Sequence, residues 1–321
     1  MIARLKIASI AEETDRIRRY VLVPAPGEAA LAGFAAGAHI ALRLGNGLVR
    51  QYSLSNPASD CPACYEIAVL REDAGRGGSA WIHAAWRQGD VVEMTQCANH
   101  FPLIETGHQY ILLAAGIGIT PILCMAHELN RLGKPFDLFY CTRTRADTAY
   151  ANELSHSPFA SRVRILHDGG DPSRGLDVIG LLKDHAEGTH VYFCGPGGFI
   201  TAIRNAASHW PKGTVHYELF AADPEMELSN ADDSAFEVVI NSTGQIFRIP
   251  PDRTIVDVLG ESGIRVETLC REGYCGSCLT GVISGKPDHR DTIQSDDEKA
   301  TNDTMALCCS RARTGPLVLD L

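Results

Sequence analysis

The sequence predicts a multi-domain α/β plus β chain: an antiparallel β region, a parallel α/β region, and a small third unit built around a cysteine loop. Three observations predict it. Up to about Phe101 the chain is a series of short β-like runs split by turn residues, the pattern of an antiparallel barrel or sandwich. From about 107 to 222 apolar strands alternate with helical patterns, which implies a parallel sheet with helical crossovers. The stretch AADPEMELSNADDSA (221–235) is acidic, polar and small, and it reads as an interdomain linker before the third unit.

In order, the first region carries ARLKIASI, RRYVLVPA, HIALRLGNGLVRQYSLS, CYEIAVLRE and DVVEMTQ. These are short β-like runs split by turn signals. The second runs YILLAAG then ILCMAHELNRLG, FDLFYCT then YANELS, VRILHD, HVYFCGP then GFITAIRNAASHW, and TVHYELF. The third opens with FEVVINSTGQIFRIPP, two strands joined by a Thr-Gly turn, and continues with the helical TIVDVLGESG. With 321 residues, 45% of them hydrophobic, the chain can build proper cores. The start, MIARLKIASI, alternates like a strand and has no charged-then-apolar leader, so no signal peptide is expected. The longest apolar run, around Tyr110 to Ala126, is broken by glycines and a proline, which argues against a membrane span. A soluble, cytoplasmic protein is the expectation.

The net charge of −10 is uneven. From Asp223 onward there are 18 acidic against 9 basic residues, while residues 1–222 are nearly balanced. The acidic balance argues against nucleic acid as the partner, because phosphates need a basic face. It suits a basic patch on a partner protein, although acidic residues also simply keep small domains soluble.

Eleven cysteines in a reducing compartment point to metal or redox chemistry rather than disulfides. Three of them, in CREGYCGSC, are Cys270, Cys275 and Cys278. Their C-x4-C-x2-C spacing is that of plant-type [2Fe–2S] ligation, with the fourth thiolate coming from elsewhere. Gly273 and Gly276 let the loop curl and aim N–H groups at sulfur. Downstream, only Cys308 and Cys309 can complete the set. Zinc is the competing reading, but zinc sites more often pair two C-x2-C knuckles.

RQYSLSN (50–56) places Arg50, Tyr52 and Ser53 at a strand end. Arg50 can pair a phosphate, Tyr52 can lie on a flavin ring, and Ser53 can reach the flavin N5 region. Gly77, Gly78 and Ser79 precede a helical stretch, so free N–H groups would face an anion there. A plain turn would leave the same trace. AAGIGITPI (114–122) follows a strand and precedes a helix. Its Gly116 and Gly118 permit close approach of a pyrophosphate, with Thr120 at the helix start. In CGPGGFI, Cys194, Gly195 and Pro196 would sit at a strand's carboxyl end, where α/β sheets bind ligands. Cys194 could equally be a small buried residue. CPAC (61–64) reads as loop, His83, His100 and His127 have no metal spacing, and DHRD (288–291) reads as a polar turn.

These motifs, in this order, resemble the phthalate dioxygenase reductase and vanillate O-demethylase reductase family, the reductase components of Rieske-type oxygenases. The resemblance covers essentially the whole chain. It implies an FMN-binding β-barrel (1–104), an NADH-binding α/β domain (105–222), an acidic linker (223–235) and a β-grasp plant-type ferredoxin domain (236–321). It implies that Arg50, Tyr52, Ser53 and the turn Gly77 to Ser79 hold FMN. Gly116, Gly118, Thr120 and Cys194 to Pro196 would meet the nicotinamide nucleotide, with Glu218 and Phe220 of HYELF beside the flavin. The ALCC ending resembles that of plant-type ferredoxins and aligns Cys308 with the fourth ligand.

The implied reaction is a wire. NADH gives a hydride, the cluster takes single electrons, and FMN stands between them. Ser53, Cys194 and Glu218 would line the hydride path. Nothing in the chain matches a Rieske or mononuclear iron site, so a partner oxygenase would perform the oxidation. The resemblance suggests aromatic or methoxylated acids, or small amines, as that partner's substrates. Arg143 and Arg145 in YCTRTRAD could favour a 2′-phosphate, but the resemblance implies NADH. The competing functions are a stand-alone diaphorase passing electrons to ferredoxin, quinone or ferric complexes, and a redox-sensing interaction protein, which would need no hydride donor.

Overall fold

The structure, a computed structural model, describes residues 3–75, 77–220, 233–268, 270–274, 276–294 and 296–321. It forms two compact units, Met1–Phe220 and Ala221–Leu321. No helix among the described residues is long and apolar enough to cross a membrane.

The first unit holds two sheets. Strands β1 (Ala3–Glu12), β2 (Ile17–Pro24), β3 (His39–Arg43), β4 (Val49–Ser53), β5 (Tyr65–Leu70) and β6 (Val91–Ala98) form an antiparallel sheet in the order β4-β3-β6-β1-β2-β5. A bridge from Leu54 to Ile67 brings the two outer strands together and closes the barrel. Alternate residues point inward, so Leu5, Ile7, Tyr20, Leu22, Ile40, Leu42 and Ile67 are at most 1% exposed. Helix α1 (Gly78–Ala85) lies between β5 and β6.

The second sheet is parallel. Its strands are β7 (Gln109–Ala115), β8 (Phe136–Thr142), β9 (Val163–His167), β10 (Thr189–Cys194) and β11 (Val215–Glu218), in the order β11-β10-β7-β8-β9. The crossovers contain α2 (Ile119–Arg131), α3 (Ala151–His156), α4 (Val178–Leu182) and α5 (Gly197–Ala206). All six residues of β10 are buried, as a central strand covered on both faces requires. Strand order reverses between β7 and β10, and such a reversal opens a crevice at the strands' carboxyl ends. Helix α2 begins at Ile119, three residues before the apolar run suggests. A single 3₁₀ turn at Gly116–Gly118 leads into it, and Pro121 sits in the first turn, where no N–H is needed.

The second unit has β12 (Phe236–Ile240), β13 (Ile246–Ile249), β14 (Leu279–Asp288), β15 (Thr304–Ala306) and β16 (Arg311–Leu319), in the order β13-β12-β16-β14-β15. Its helices are α6 (Ile255–Glu261) and α7 (Asp296–Thr301). Helix α6 buries Ile255, Val256 and Leu259 in the same core as Val238, Ile249, Leu317 and Leu319. A capping box, Thr254 with Asp257, fixes its start. This is the β-grasp arrangement. The expected fold class is therefore present: antiparallel barrel, parallel α/β sheet and small ferredoxin-type unit.

Candidate redox sites

Two glycine-rich loops meet at the β7/β10 crevice. Gly116 has φ +55° and its carbonyl accepts the Tyr140 hydroxyl at 3.0 Å. A Cβ on Gly118 would lie 2.2 Å from the Cys194 carbonyl oxygen and 2.7 Å from Gly195 N. A Cβ on Gly195 would lie 2.9 Å from the side chains of Ala115 and Phe199. The Thr120 hydroxyl, buried, donates to Ile117 O at 3.1 Å. Replacing Gly118 by Ala forces two backbones apart. We expect a cost of about 2 kcal/mol or more, about 4–8 °C in Tm, with weaker NADH binding. Gly198, whose Cβ would meet nothing within 4 Å, is the control: Gly198→Ala leaves Tm and binding unchanged or slightly improved.

On the barrel side, Arg50 leans over the start of α1. A Cβ on Gly78 would lie 2.8 Å from Arg50 Nε, so a larger residue there would make the Arg50 side chain shift. Arg50 Nη1 also donates to Val49 O at 2.8 Å. Gly77, at φ +78°, precedes a helix that no side chain caps. The Ser79 hydroxyl accepts Glu72 N at 3.0 Å. A fixed cation beside unused helix N–H groups is a phosphate cradle, and these residues fit FMN.

The two sides join at one hydrogen bond. Ser53 Oγ, at the end of β4, donates to Glu218 Oε2, at the end of β11, at 3.0 Å. Glu218 is in register with Cys194 across β10 and β11. Thus Ser53, Cys194 and Glu218, spread over 166 positions of sequence, converge. Burial raises the Glu218 carboxyl to about 7, against a smaller opposing pull from the Ser53 hydroxyl. Burial, and then the Glu218 charge, push the Cys194 thiol up, so it stays neutral. Tyr52 is partly buried on β4, and Phe220 is 36% exposed two residues beyond Glu218. Arg143 and Arg145 are exposed beyond β8.

One neighbour escaped the sequence reading. His39, on β3, pairs with Ser53 across the sheet. Burial, helped by His100, drives its imidazole down to about 4. Its Nε2 therefore accepts from the Gln51 amide, 3.1 Å away. No sequence pattern marks it, because the pairing is a matter of register.

In the second unit, Cys270, Cys278 and Cys308 are all buried. The Cys308 thiol lies against those of Cys270, Cys278 and Cys309, contacts that push its pKa up, and the contact with Cys308 pulls the Cys278 thiol down. Glu272 N donates to Cys270 Sγ at 3.3 Å, the N–H to sulfur bond that iron–sulfur loops use. Gly273 and Gly276 have φ +75° and +73°. A Cβ on Gly273 would strike Cys309 Sγ at 2.6 Å. Cys309 Sγ lies 3.8 Å from both Ala306 O and Ser310 Oγ. Cys275 lies outside the described residues, as does 223–232 of the acidic linker, and among the described residues no three ligating side chains already form a metal group. The buried thiols of Cys270, Cys278 and Cys308, with an N–H aimed at the Cys270 sulfur, fit a [2Fe–2S] cluster.

Two of the histidines without metal spacing have local partners, and the CPAC thiols are unpaired with each other. His83 Nε2 lies 2.8 Å from Val69 O, and His127 pairs with Glu153 at 3.3 Å. Cys61 and Cys64 are free thiols. DHRD differs from the expected polar turn: Asp291 is 1% exposed, and Arg290 is in an ion pair with Asp233.

Residues 238–313 match the family model of the 2Fe-2S iron-sulfur cluster binding domain, and 112–205 match that of the oxidoreductase NAD-binding domain. The chain is 45% identical to a vanillate O-demethylase oxidoreductase of Pseudomonas sp. (strain HR199 / DSM 7063), over 89% of this chain and 90% of that one. It is 40% identical to the phthalate dioxygenase reductase of Burkholderia cepacia, over 99% and 97%. A solved phthalate dioxygenase reductase structure, described as a modular structure for electron transfer from pyridine nucleotides to [2Fe-2S], superposes with a TM-score of 0.73 at 40% identity, covering 100% of this chain and 98% of that one. With the loops, the cradle and the thiols placed as they are, the chain belongs to the phthalate dioxygenase reductase and vanillate O-demethylase reductase family, and it is an NADH-dependent oxidoreductase whose cofactors are FMN and a [2Fe–2S] cluster.

Proposed function

We propose that this protein is the reductase component of a two-component Rieske-type oxygenase, drawing electron pairs from NADH and delivering them singly to the partner. The observation that carries this is the Ser53–Glu218 bond, which joins the flavin-side strand to the nicotinamide-side sheet beside Cys194. When bound, FMN would take electrons in pairs and give them up one at a time, and a cluster held by the cysteines would pass single electrons on.

The chain's own residues supply place and charge. Arg50 and the turn Gly77 to Ser79 hold the flavin phosphate, and Tyr52 supports the ring. Gly116, Gly118, Thr120 and the segment Cys194 to Pro196 receive the nucleotide, since only glycines leave room where the loops abut. Ser53 and Glu218 hold a proton between Oγ and Oε2, which fixes the hydroxyl. Cys194 adds a small neutral wall, and Phe220 flanks the flavin. Cys270, Cys275, Cys278 and Cys308 hold the cluster. Support for Cys308 over Cys309 comes from its contacts with two other ligand thiols.

The functional modules follow the boundaries 1–104, 105–222 and 236–321, with 223–235 as linker. The acidic character of the region from Asp223 onward suits a basic docking face on the oxygenase, so binding weakens with salt.

The test is an anaerobic NADH titration followed by low-temperature EPR. Flavin bleaching accompanied by a rhombic reduced-cluster signal is the expected result. Bleaching with no such signal would break the wire and leave a diaphorase.

A further inference from the structure

Within the first unit, the segment that leaves β4 is met from the α/β side at a second point besides Ser53. Beyond β8 and its exposed arginines, Ala149 and Tyr150 turn inward and are 0% and 2% exposed. The Tyr150 hydroxyl donates to Ser55 Oγ at 2.8 Å, a contact across 95 positions of sequence. Burial pushes the phenol up, so it keeps its proton. The Ser55 hydroxyl in turn donates to Glu66 O at 3.2 Å, and Ser55 N donates to the same carbonyl at 2.9 Å. The phenol thus ends on a hydroxyl that β5 already holds, two residues past Ser53.

Tyr150 is held there against its own preference. Its φ is +58°, a left-handed conformation that costs a bulky residue free energy. Such strain persists only where the surroundings over-determine it, and it gathers at functional sites. Besides the Ser55 bond, Tyr150 N donates to Glu13 Oε2 at 2.8 Å, and the Arg19 guanidinium sits over the ring, 5.5 Å from its centroid. Arg19 also bridges the barrel to α3: its Nε is 3.0 Å from Glu13, and its Nη1 is 3.5 Å from Glu66 and 3.0 Å from Glu153. All four side chains are partly exposed, so each ion pair alone would count for little. What they do together is hold one strained tyrosine in place.

We infer that Tyr150 is a strut between the nucleotide sheet and the flavin-side strand, a positioning residue that acts through Ser55 on the step in which NADH gives its hydride to FMN and leaves as NAD⁺. This rests on the electron-transfer reading above. One hydrogen bond, Ser53 to Glu218, leaves the end of β4 free to pivot about it. A second, two residues further on, fixes its direction.

The contacts of Tyr150 are with Ser55, Glu13 and Arg19, none of them among the residues that receive FMN or the nucleotide. Its loss should therefore misplace the reactants without removing a binding group. Transfer between two held reactants is steep in geometry, and a misplacement of about 1 Å can cost about a hundredfold in rate. A loosened strand end needs only a fraction of that shift to be measurable.

The test uses the full chain with Tyr150→Phe, which removes only the hydroxyl, Ser55→Ala, which removes its acceptor, and the two combined. Hydrogen exchange followed by mass spectrometry reads segment 50–56 in the apoprotein and the holoprotein. Anaerobic stopped-flow mixing with NADH reads the limiting rate of flavin reduction and the Kd for NADH separately. In each single variant we expect exchange in 50–56 to quicken about three-fold or more while β1 is unchanged. The limiting rate should fall about five-fold or more with Kd within about two-fold of wild type. Reduction of the flavin by dithionite, which needs no positioned nicotinamide, should be unchanged. The double variant should be no slower than Ser55→Ala alone, because both changes break one bond. A limiting rate in Tyr150→Phe within about two-fold of wild type overturns the strut, and so does unchanged exchange in 50–56. Additive losses in the double variant, or a loss confined to Kd, overturn it as well. A wild-type flavin that NADH does not reduce would instead overturn the electron-transfer reading, and the strut with it.

Discussion

Replacing Cys308 by Ser removes the cluster, while replacing Cys309 by Ser leaves it. Both side chains are buried, at 3% and 4% exposure, and they are neighbours in sequence. Burial therefore does not separate them, but their contacts do. The Cys308 thiol reaches those of Cys270 and Cys278. Cys309 Sγ also touches the Cys308 thiol, but it fills the notch above Gly273 and faces Ala306 O and Ser310 Oγ. A thiolate set missing one member cannot hold two irons, so iron content in Cys308→Ser should fall from about two per chain toward zero. The rhombic EPR signal of the reduced protein should vanish, while NADH still bleaches the flavin. Cys309→Ser exchanges one small side chain for a slightly smaller one in a packed spot, a change of about 1 kcal/mol. It should keep both the iron and the signal. A retained cluster in Cys308→Ser together with a lost one in Cys309→Ser would reassign the ligand.

The sequence showed the chemistry better than it showed the scaffold's polar interior. The cysteine loop and the glycine-rich turns are legible because each is local: the spacing of Cys270, Cys275 and Cys278, or Gly116 and Gly118 between a strand and a helix, carries its reason within a dozen residues. The strands of the first two regions were legible by period. Those after the cysteine loop were not, because β14 pairs with β16 through several register shifts and its alternation is lost. Ser53 was legible from its strand-end motif, but Glu218 only by family resemblance. Nothing within either segment says that β4 and β11 end at the same place. His39 was invisible for the same reason. DHRD looked like a solvated turn since four polar residues in a row usually are. Its partner, Asp233, lies 57 positions earlier, in a stretch whose composition reads as linker.

Neutralising Glu218 should remove the pH dependence of flavin reduction by NADH. Burial raises its carboxyl from 4.5 to about 7, so it is neutral at pH 6 and charged at pH 8. Electron delivery brings negative charge into the pocket, and an ionised carboxylate there opposes it. The wild-type rate should therefore fall as pH rises through about 7, by about tenfold, or about 1.4 kcal/mol, for a partly screened charge a few ångströms away. Glu218→Gln copies the neutral form and should stay near the low-pH rate across pH 6–8.5. Ser53→Ala removes the one hydrogen bond that pulls this pKa down. Its profile should keep the inflection, shifted to higher pH by roughly half a unit to one unit, on a rate lowered by loss of the hydroxyl. Stability follows the same group. A carboxyl whose folded pKa lies above its unfolded one contributes most below the unfolded value, and that contribution is lost as pH rises to about 7. The loss is at most about 3 kcal/mol, since Glu218 keeps some contact with water. In the apoprotein, Glu218→Gln should thus melt higher than wild type at pH 8 and alike at pH 5. A wild-type rate that is flat from pH 6 to 8.5, or an inflection that survives in Glu218→Gln, would assign the proton to another group.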